Sequence, residues 1–280
     1  MKVTVLMENT ALEGCGLTPE HGLSLYIQYR GKKLLLDAGS SGKFADNAQA
    51  LGVDLSGVEL AALSHGHYDH ADGLRRFFQV NDRAKVYLRP GAEGPYFAKD
   101  PDAYRFIGIG RDIWENTRDR FVEMEGLYPL LEGAWLVPET VRDPAFAGQA
   151  ADLLVKRGED DFVPDDYRHE QSLVLEGERG LVVFNSCSHG GIVNIVRGVL
   201  EQFPGKKVFA AVGGFHMFSR GKSGMNCTPE YVFRVADALK ELGVEEIYTG
   251  HCTGETALEF LQKRFGPGCH ALATGQVLNF

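Results

Sequence analysis

Within the ten residues Ser64-His65-Gly66-His67-Tyr68-Asp69-His70-Ala71-Asp72-Gly73 stand three imidazoles and two carboxylates. They follow an apolar run, Val58 to Leu63, that reads as a buried strand. His65 and His67 are one residue apart, so an extended or looping backbone can turn both rings to one side around a single divalent ion. Asp69 and His70 follow at the first turn of a helix running through Leu74, Phe77 and Phe78, and reach the same pocket from another direction. That suits a second ion. Two ions about 3.5–4 Å apart can share one water, lower its pKa to roughly 7 and stabilise the attacking and leaving oxygens of a displacement. A solvated loop with scattered histidines is the competing reading, and it does not account for so ordered a polar string behind a buried strand.

The elements that must position this stretch alternate along the chain. Lys2 to Met7, Leu23 to Tyr29 and Lys33 to Leu36 read as strands, the third closing on Asp37, a carboxylate that needs hydrogen-bond partners or a cation where it leaves Leu34-Leu35-Leu36. Ser41 to Leu51 reads as an amphipathic helix stopped by Gly52, Ala71 to Val80 as a second helix, and Lys85 to Leu88 as a strand. In the second half, Glu170 to Glu176 and Gly180 to Phe184 form a predicted hairpin whose second strand runs into Asn185-Ser186-Cys187-Ser188-His189-Gly190-Gly191 and then a helix. Cys187 and His189 therefore stand at a strand-to-helix switch, where α/β proteins place chemistry. Lys207 to Val212 is predicted as a strand ending in Gly213-Gly214-Phe215-His216, and His216 reads as a substrate-contacting or proton-transfer group. Thr228-Pro229-Glu230 is a helix start, Glu246 to Tyr248 a short strand leading to Thr249-Gly250-His251-Cys252-Thr253-Gly254, and Glu255 to Phe265 a last helix. Cys252 reads as a small buried neighbour. Such alternation indicates a layered α/β fold, α+β in some schemes.

Composition restricts the function. The 280 residues carry a net charge of -9 and no Lys/Arg block longer than two, which argues against nucleic acid as a partner. No apolar run approaches the roughly 20 residues of a membrane span, and the N-terminus turns polar within eight residues, so no membrane partner and no signal peptide are expected. Five irregularly spaced cysteines do not make a disulfide framework, which fits a reducing cytoplasm.

His65-Gly-His67-Tyr-Asp69-His70 matches the H-x-H-x-D-H signature of the metallo-β-lactamase superfamily, with Asp37-Ala-Gly39 upstream as in that superfamily. The wording "LLLDAGSSGKFADNAQALGVDL", "LSHGHYDHADGL", "NSCSHGGIVNIV", "GGFHMF" and "TGHCTG" resembles the branch named for the dihydropterin-(ribofuranosyl)aminobenzene-phosphate synthase of methanopterin biosynthesis. The resemblance covers nearly the whole chain, except about Pro90 to Pro164. It implies one domain over 1–280, a four-layer αββα sandwich of two similar halves, with 90–164 as an inserted lid or pocket wall. The lid's aromatics would either stack on a flat substrate or form a satellite core, the latter fitting most of them better. His21-Gly22 is placed near the pocket by the resemblance, although His21 reads equally as a loop histidine.

The resemblance also implies a ligand set. One ion would be held by His65, His67 and His189, with His169 as the competitor for the third place, and the other by Asp69, His70 and His251. Asp37 would orient the ligands from behind. Cys187 takes the position where most of the superfamily has a bridging Asp, a departure compatible with a thiolate ligand, a longer metal separation or one ion. The expected cofactors are two divalent ions, zinc first, iron or manganese as alternatives. Asp69 and His216 are the expected catalytic residues. The expected function is hydrolase or transferase chemistry on a small phosphorylated substrate, a phosphoester or diphosphate and by resemblance a pterin diphosphate that loses pyrophosphate. Alternatives are a mononuclear iron oxygenase on the same fold, a noncatalytic metal-binding protein, and Cys187 acting as a nucleophile with His189.

Overall fold

The computed structural model describes residues 1–149, 152–219 and 224–280, so residues 150 and 151 of the 90–164 segment lie outside the described residues. The chain separates into two compact units: Met1–Glu125 with Ala150–Glu170 and Ala273–Asn279, and Gly126–Gln149 with Gln171–Leu272 and Phe280.

The first unit is built on a seven-stranded sheet in the order Val277–Asn279, Lys2–Met7, Ser24–Tyr29, Lys32–Leu36, Leu60–Ala62, Lys85–Leu88, Phe121–Glu123. Pairing is antiparallel as far as Lys32–Leu36 and parallel beyond it. Helices Lys43–Ala50 and Leu74–Val80 lay Phe44, Ala48, Leu74 and Phe77 against Leu35, Leu63 and Val86. Phe44 and Phe77 are wholly buried, each contributing about 1.5–3 kcal/mol relative to exposure. The predicted helix Ala71 to Val80 is instead two short helices, Tyr68–Ala71 and Leu74–Val80. At the junction Gly73 lies against the main chain: a Cβ there would sit 1.9 Å from the carbonyl oxygen of Ala38.

The 90–164 segment contributes to three sheets. Phe121–Glu123 closes the first, while Tyr128–Leu131 and Ala134–Pro138 belong to the second unit. Tyr96–Asp100, Ala103–Phe106, Leu153–Lys156 and Phe162–Pro164 make a separate antiparallel four-stranded sheet within the first unit. Its aromatics pack on one another, Phe97 on Phe106 and Phe162, and Tyr104 stacked on Phe162 at 4.0 Å. Trp114 packs on Phe121 in the first unit and Trp135 on Phe203 in the second.

The second unit repeats the mixed pattern. Its sheet runs Cys269–Ala271, Glu246–Thr249, Val208–Val212, Gly180–Phe184, Gln171–Gly177, Ala134–Pro138, Tyr128–Leu131, parallel through the first four and antiparallel thereafter. Helices Ile192–Gln202, Pro229–Glu241 and Glu255–Phe265 bury Val193, Val196, Val232, Val235, Leu239 and Leu261 against Val183, Val208 and Ile247. The Thr228 side chain accepts the Tyr231 N–H, and Pro229 opens the helix, as its sequence predicts. Among the described residues no helix is long and apolar enough to cross a membrane.

Candidate functional site

Parallel neighbours end at the same edge of a sheet, so whatever follows them is gathered there. In the first unit Leu36 pairs with Ala62, and Asp37 and Ser64 leave the sheet side by side. The Asp37 N–H donates to the Ala62 carbonyl at 3.0 Å, with the Asp37 backbone held left-handed at φ 57°. Its carboxylate is 1% exposed and accepts three hydrogen bonds: from the Ser64 N–H (2.8 Å), the Ser64 hydroxyl (2.7 Å) and His70 Nδ1 (2.8 Å). Having given its proton to Asp37, the Ser64 hydroxyl accepts from His65 Nδ1 at 2.8 Å. The network assigns the Nδ1–H tautomer to both His65 and His70, leaving Nε2 as the lone-pair nitrogen of each ring. Outer carboxylate and hydroxyl partners orient metal-binding imidazoles in this way, so these donors fit a divalent ion.

His169 is arranged differently. The Gly66 N–H donates to its Nδ1 at 3.0 Å, and its Nε2 donates to Asp165 Oδ2 at 3.0 Å, so both ring nitrogens are committed. Tyr96 lies over the ring at 4.1 Å, and hydrogen bonding to His169 helps hold the Asp165 carboxyl below its usual range against the opposing effect of burial. His169 thus grips the peptide between His65 and His67. Gly66 is required there, since a Cβ would meet the Ala92 carbonyl oxygen at 1.9 Å. Burial, reinforced by the neighbouring His169 ring, pushes the His67 imidazole down to about 3, so it is a neutral donor at physiological pH. Asp69 Oδ2 lies 3.2 Å from Nε2 of the partly exposed His21 and 3.6 Å from His70 Nε2. His21 therefore stands beside the cluster, on the Gly22 turn that packs against Asp69.

In the second unit Gly180–Phe184, Val208–Val212 and Glu246–Thr249 are parallel neighbours in register, Phe184 with Val212 and Val212 with Tyr248. Their ends deliver Cys187 and His189, His216, and His251 with Cys252. One ligand atom each of Cys187, His189 and His216 lie within 4.8 Å of one another, and so do those of Cys187, His251 and Cys252. The bracing here is neutral: Asn185 accepts the Ser188 N–H at 2.6 Å and donates to Ser172 Oγ at 2.9 Å, and Thr253 Oγ1 accepts the Phe215 N–H at 2.8 Å. Burial opposes ionisation of Cys252, but the adjacent Cys187, His251 and His216 outweigh it and draw the thiol well below its ordinary range.

Six non-glycine residues among those described have positive φ, and Asp37, Ser188, His216 and His251 are four of them. Left-handed backbone costs such residues about 1–3 kcal/mol each and collects where function over-determines the geometry. Residues that sequence reasoning did not single out are Asp165, Asn185 and the Ser64 hydroxyl. Only Asp165 had a local signal, a carboxylate four residues before a histidine.

Comparison with known proteins bears on the family and the fold. The family model described as the metallo-β-lactamase superfamily matches residues 17–200. The 7,8-dihydropterin-6-methyl-4-(β-D-ribofuranosyl)-aminobenzene-5'-phosphate synthase of Methanocaldococcus jannaschii is 27% identical over 297 aligned residues, covering 100% of this chain and 97% of that protein. A solved metal-dependent hydrolase of the β-lactamase superfamily is 28% identical with a TM-score of 0.82, covering 100% of this chain and 99% of that one. A diphosphatase of the PhnP family, 14% identical with a TM-score of 0.59, covers 100% and 97% and shares the fold.

Proposed function

The chain belongs to the metallo-β-lactamase superfamily and has its mixed α/β fold, and from that premise we propose that it is a metal-dependent enzyme acting on a small phosphorylated substrate, a phosphoester or diphosphate. The observation that carries the reading is the Asp37–Ser64 network, which presets the tautomers of His65 and His70. The proposed ligands are His65, His67, Asp69 and His70 of the first unit and Cys187, His189 and His251 of the second. When bound, divalent ions supply Lewis acidity that polarises a phosphoryl oxygen and steadies the charge of a departing group. Full-length similarity to the pterin-related synthase favours transfer over hydrolysis. In that reading a pterin diphosphate loses its diphosphate: the C–O bond breaks with its electron pair on oxygen, and a carbon or nitrogen nucleophile of a ribofuranosyl-aminobenzene phosphate forms the new bond.

The chain's own groups handle the proton. His216 takes it from the nucleophile at a ring nitrogen. Within the first unit, Asp69 stands 3.2 Å from Nε2 of His21, a partner through which its carboxylate exchanges protons with solvent. Tyr96 and the four-stranded sheet of the first unit wall the imidazole cluster, Tyr96 lying 5.7 Å from the His67 ring, and keep water from the reacting atoms. The proposed setting is cytoplasmic, since five irregularly spaced cysteines do not make a disulfide framework.

The test is elemental analysis of protein purified without added metal, with turnover of a chromogenic phosphodiester and of a pterin diphosphate measured on the same sample. Bound zinc or manganese with chelator-sensitive turnover, reduced more than about 100-fold in His67→Ala, supports the reading, because that loss exceeds what removing an outer partner does. One equivalent of iron with oxygen uptake and no phosphoryl chemistry overturns it in favour of an oxygenase.

A further inference from the structure

We propose that Cys187, Cys252 and His251 form a sulfur-rich cation site complete within the second unit, taking a soft or borderline divalent ion such as zinc through two thiolates and one imidazole. The inference rests on the metal-dependent reading and assigns Cys252 a coordinating role that neither the signature of the family nor its sequence position gives it.

Four observations support it. The two sulfurs and one nitrogen of His251 lie within 4.8 Å of one another, a span that one ion bonded to all three would occupy. All three residues are buried, at 3%, 7% and 3% exposure. The chain is shaped to bring them together: His251, left-handed at φ 47°, opens the tight turn His251–Thr253, on which its imidazole and the next residue's thiol stand within reach of each other. Gly214 leaves room for the sulfur, since a Cβ there would stand 2.4 Å from Cys252 Sγ, and the Met217 and Phe218 N–H groups both donate to the Cys252 carbonyl at 2.9 Å, fixing the turn. A cysteine that is merely a small apolar filler needs neither a strained neighbour nor a cleared space.

Beside this triad stand His189 and His216, whose ligand atoms and Cys187 Sγ lie within 4.8 Å of one another. Among the described residues, the buried His216 Nδ1 has no hydrogen-bond partner. Three protein ligands and one open position is the arrangement of a catalytic centre, and two thiolates favour zinc over manganese or magnesium.

Cobalt(II) reports thiolate coordination through a near-ultraviolet sulfur-to-metal charge-transfer band. Full-length protein titrated with cobalt should show it, with about a twofold loss in Cys187→Ser and in Cys252→Ser, complete loss in the double variant, and retention in His65→Gln/His67→Gln. X-ray absorption of zinc-loaded unmutated protein needs no variant, and should show two sulfurs at about 2.3 Å. Cobalt that binds with no charge-transfer band, or a zinc shell without sulfur, overturns this inference and leaves the metal-dependent reading intact. A band insensitive to Cys252→Ser, or lost with His65 and His67, also overturns it. Failure of the protein to bind any divalent ion overturns both.

Discussion

In the first unit a buried carboxylate, Asp37, fixes the His70 imidazole through a charge-assisted hydrogen bond and the His65 imidazole by way of the Ser64 hydroxyl. In the second the corresponding strand end is braced by an amide, Asn185, and by left-handed backbone at Ser188, His216 and His251. Both clusters grow from the same device, parallel strands releasing their loops at one sheet edge. In the first cluster acceptors at Nδ1 set two imidazoles in one tautomer. The second cluster mixes the thiols of Cys187 and Cys252 with His189, His216 and His251, and its turns place them.

The comparison can be broken first at the carboxylate. Asp37→Asn keeps the shape but sets an amide N–H against the Ser64 or His70 donors, and metal affinity should fall about 10–100-fold, measured by competition with a chromogenic chelator. An unchanged affinity would mean that Asp37 only shapes the turn. Asn185→Ala tests the other side. It should cost about 1–3 kcal/mol in urea unfolding, through the Ser188 N–H and Ser172 hydroxyl left unpaired, with a smaller change in affinity than Asp37→Asn.

The smallest expected effect sharpens the contrast by pH. The His67 pKa falls from 6.5 to about 3 on folding, so below 6.5 the unfolded chain takes up a proton that the folded one refuses. Its contribution is fully present above pH 6.5 and declines towards pH 3, by up to about 1.4 kcal/mol per pH unit. Urea midpoints of metal-free protein should therefore drop between pH 7.5 and 5, and His67→Gln should flatten the drop.

Much of this was legible in the sequence because strand and helix periods and turn residues act locally. Gly180–Phe184, Glu255–Phe265, Lys85–Leu88 and the Thr228 cap lie where their patterns put them. The expected strand Val58 to Leu63 shortened to Leu60–Ala62, because Leu55–Gly57 forms a helical turn capped by Asp54. The strands Cys269–Ala271 and Val277–Asn279 were not legible, being three residues each and stable only through remote pairing. Within the first unit's cluster, the spacing of His65, His67, Asp69 and His70 announced the site. The sequence reading prefers His189 to His169 as a ligand, but what commits the two His169 nitrogens is not local: Asp165 lies four residues before it, whereas the Gly66 N–H comes from 103 residues away. Cys187 and Cys252 likewise meet only because two strands between them lie side by side.

The first unit is assembled from three separate pieces of the chain, and its edge strand Val277–Asn279 pairs with Lys2–Met7. On the ribosome, then, Lys2–Met7 emerges long before Val277–Asn279, the strand it pairs with. His65 and His67 emerge about a hundred residues before His169 can clamp the peptide between them. Vectorial synthesis cannot deliver a finished imidazole cluster early; such long-range closure is slow, and it leaves the nascent segment to be shielded until its distant partners are made.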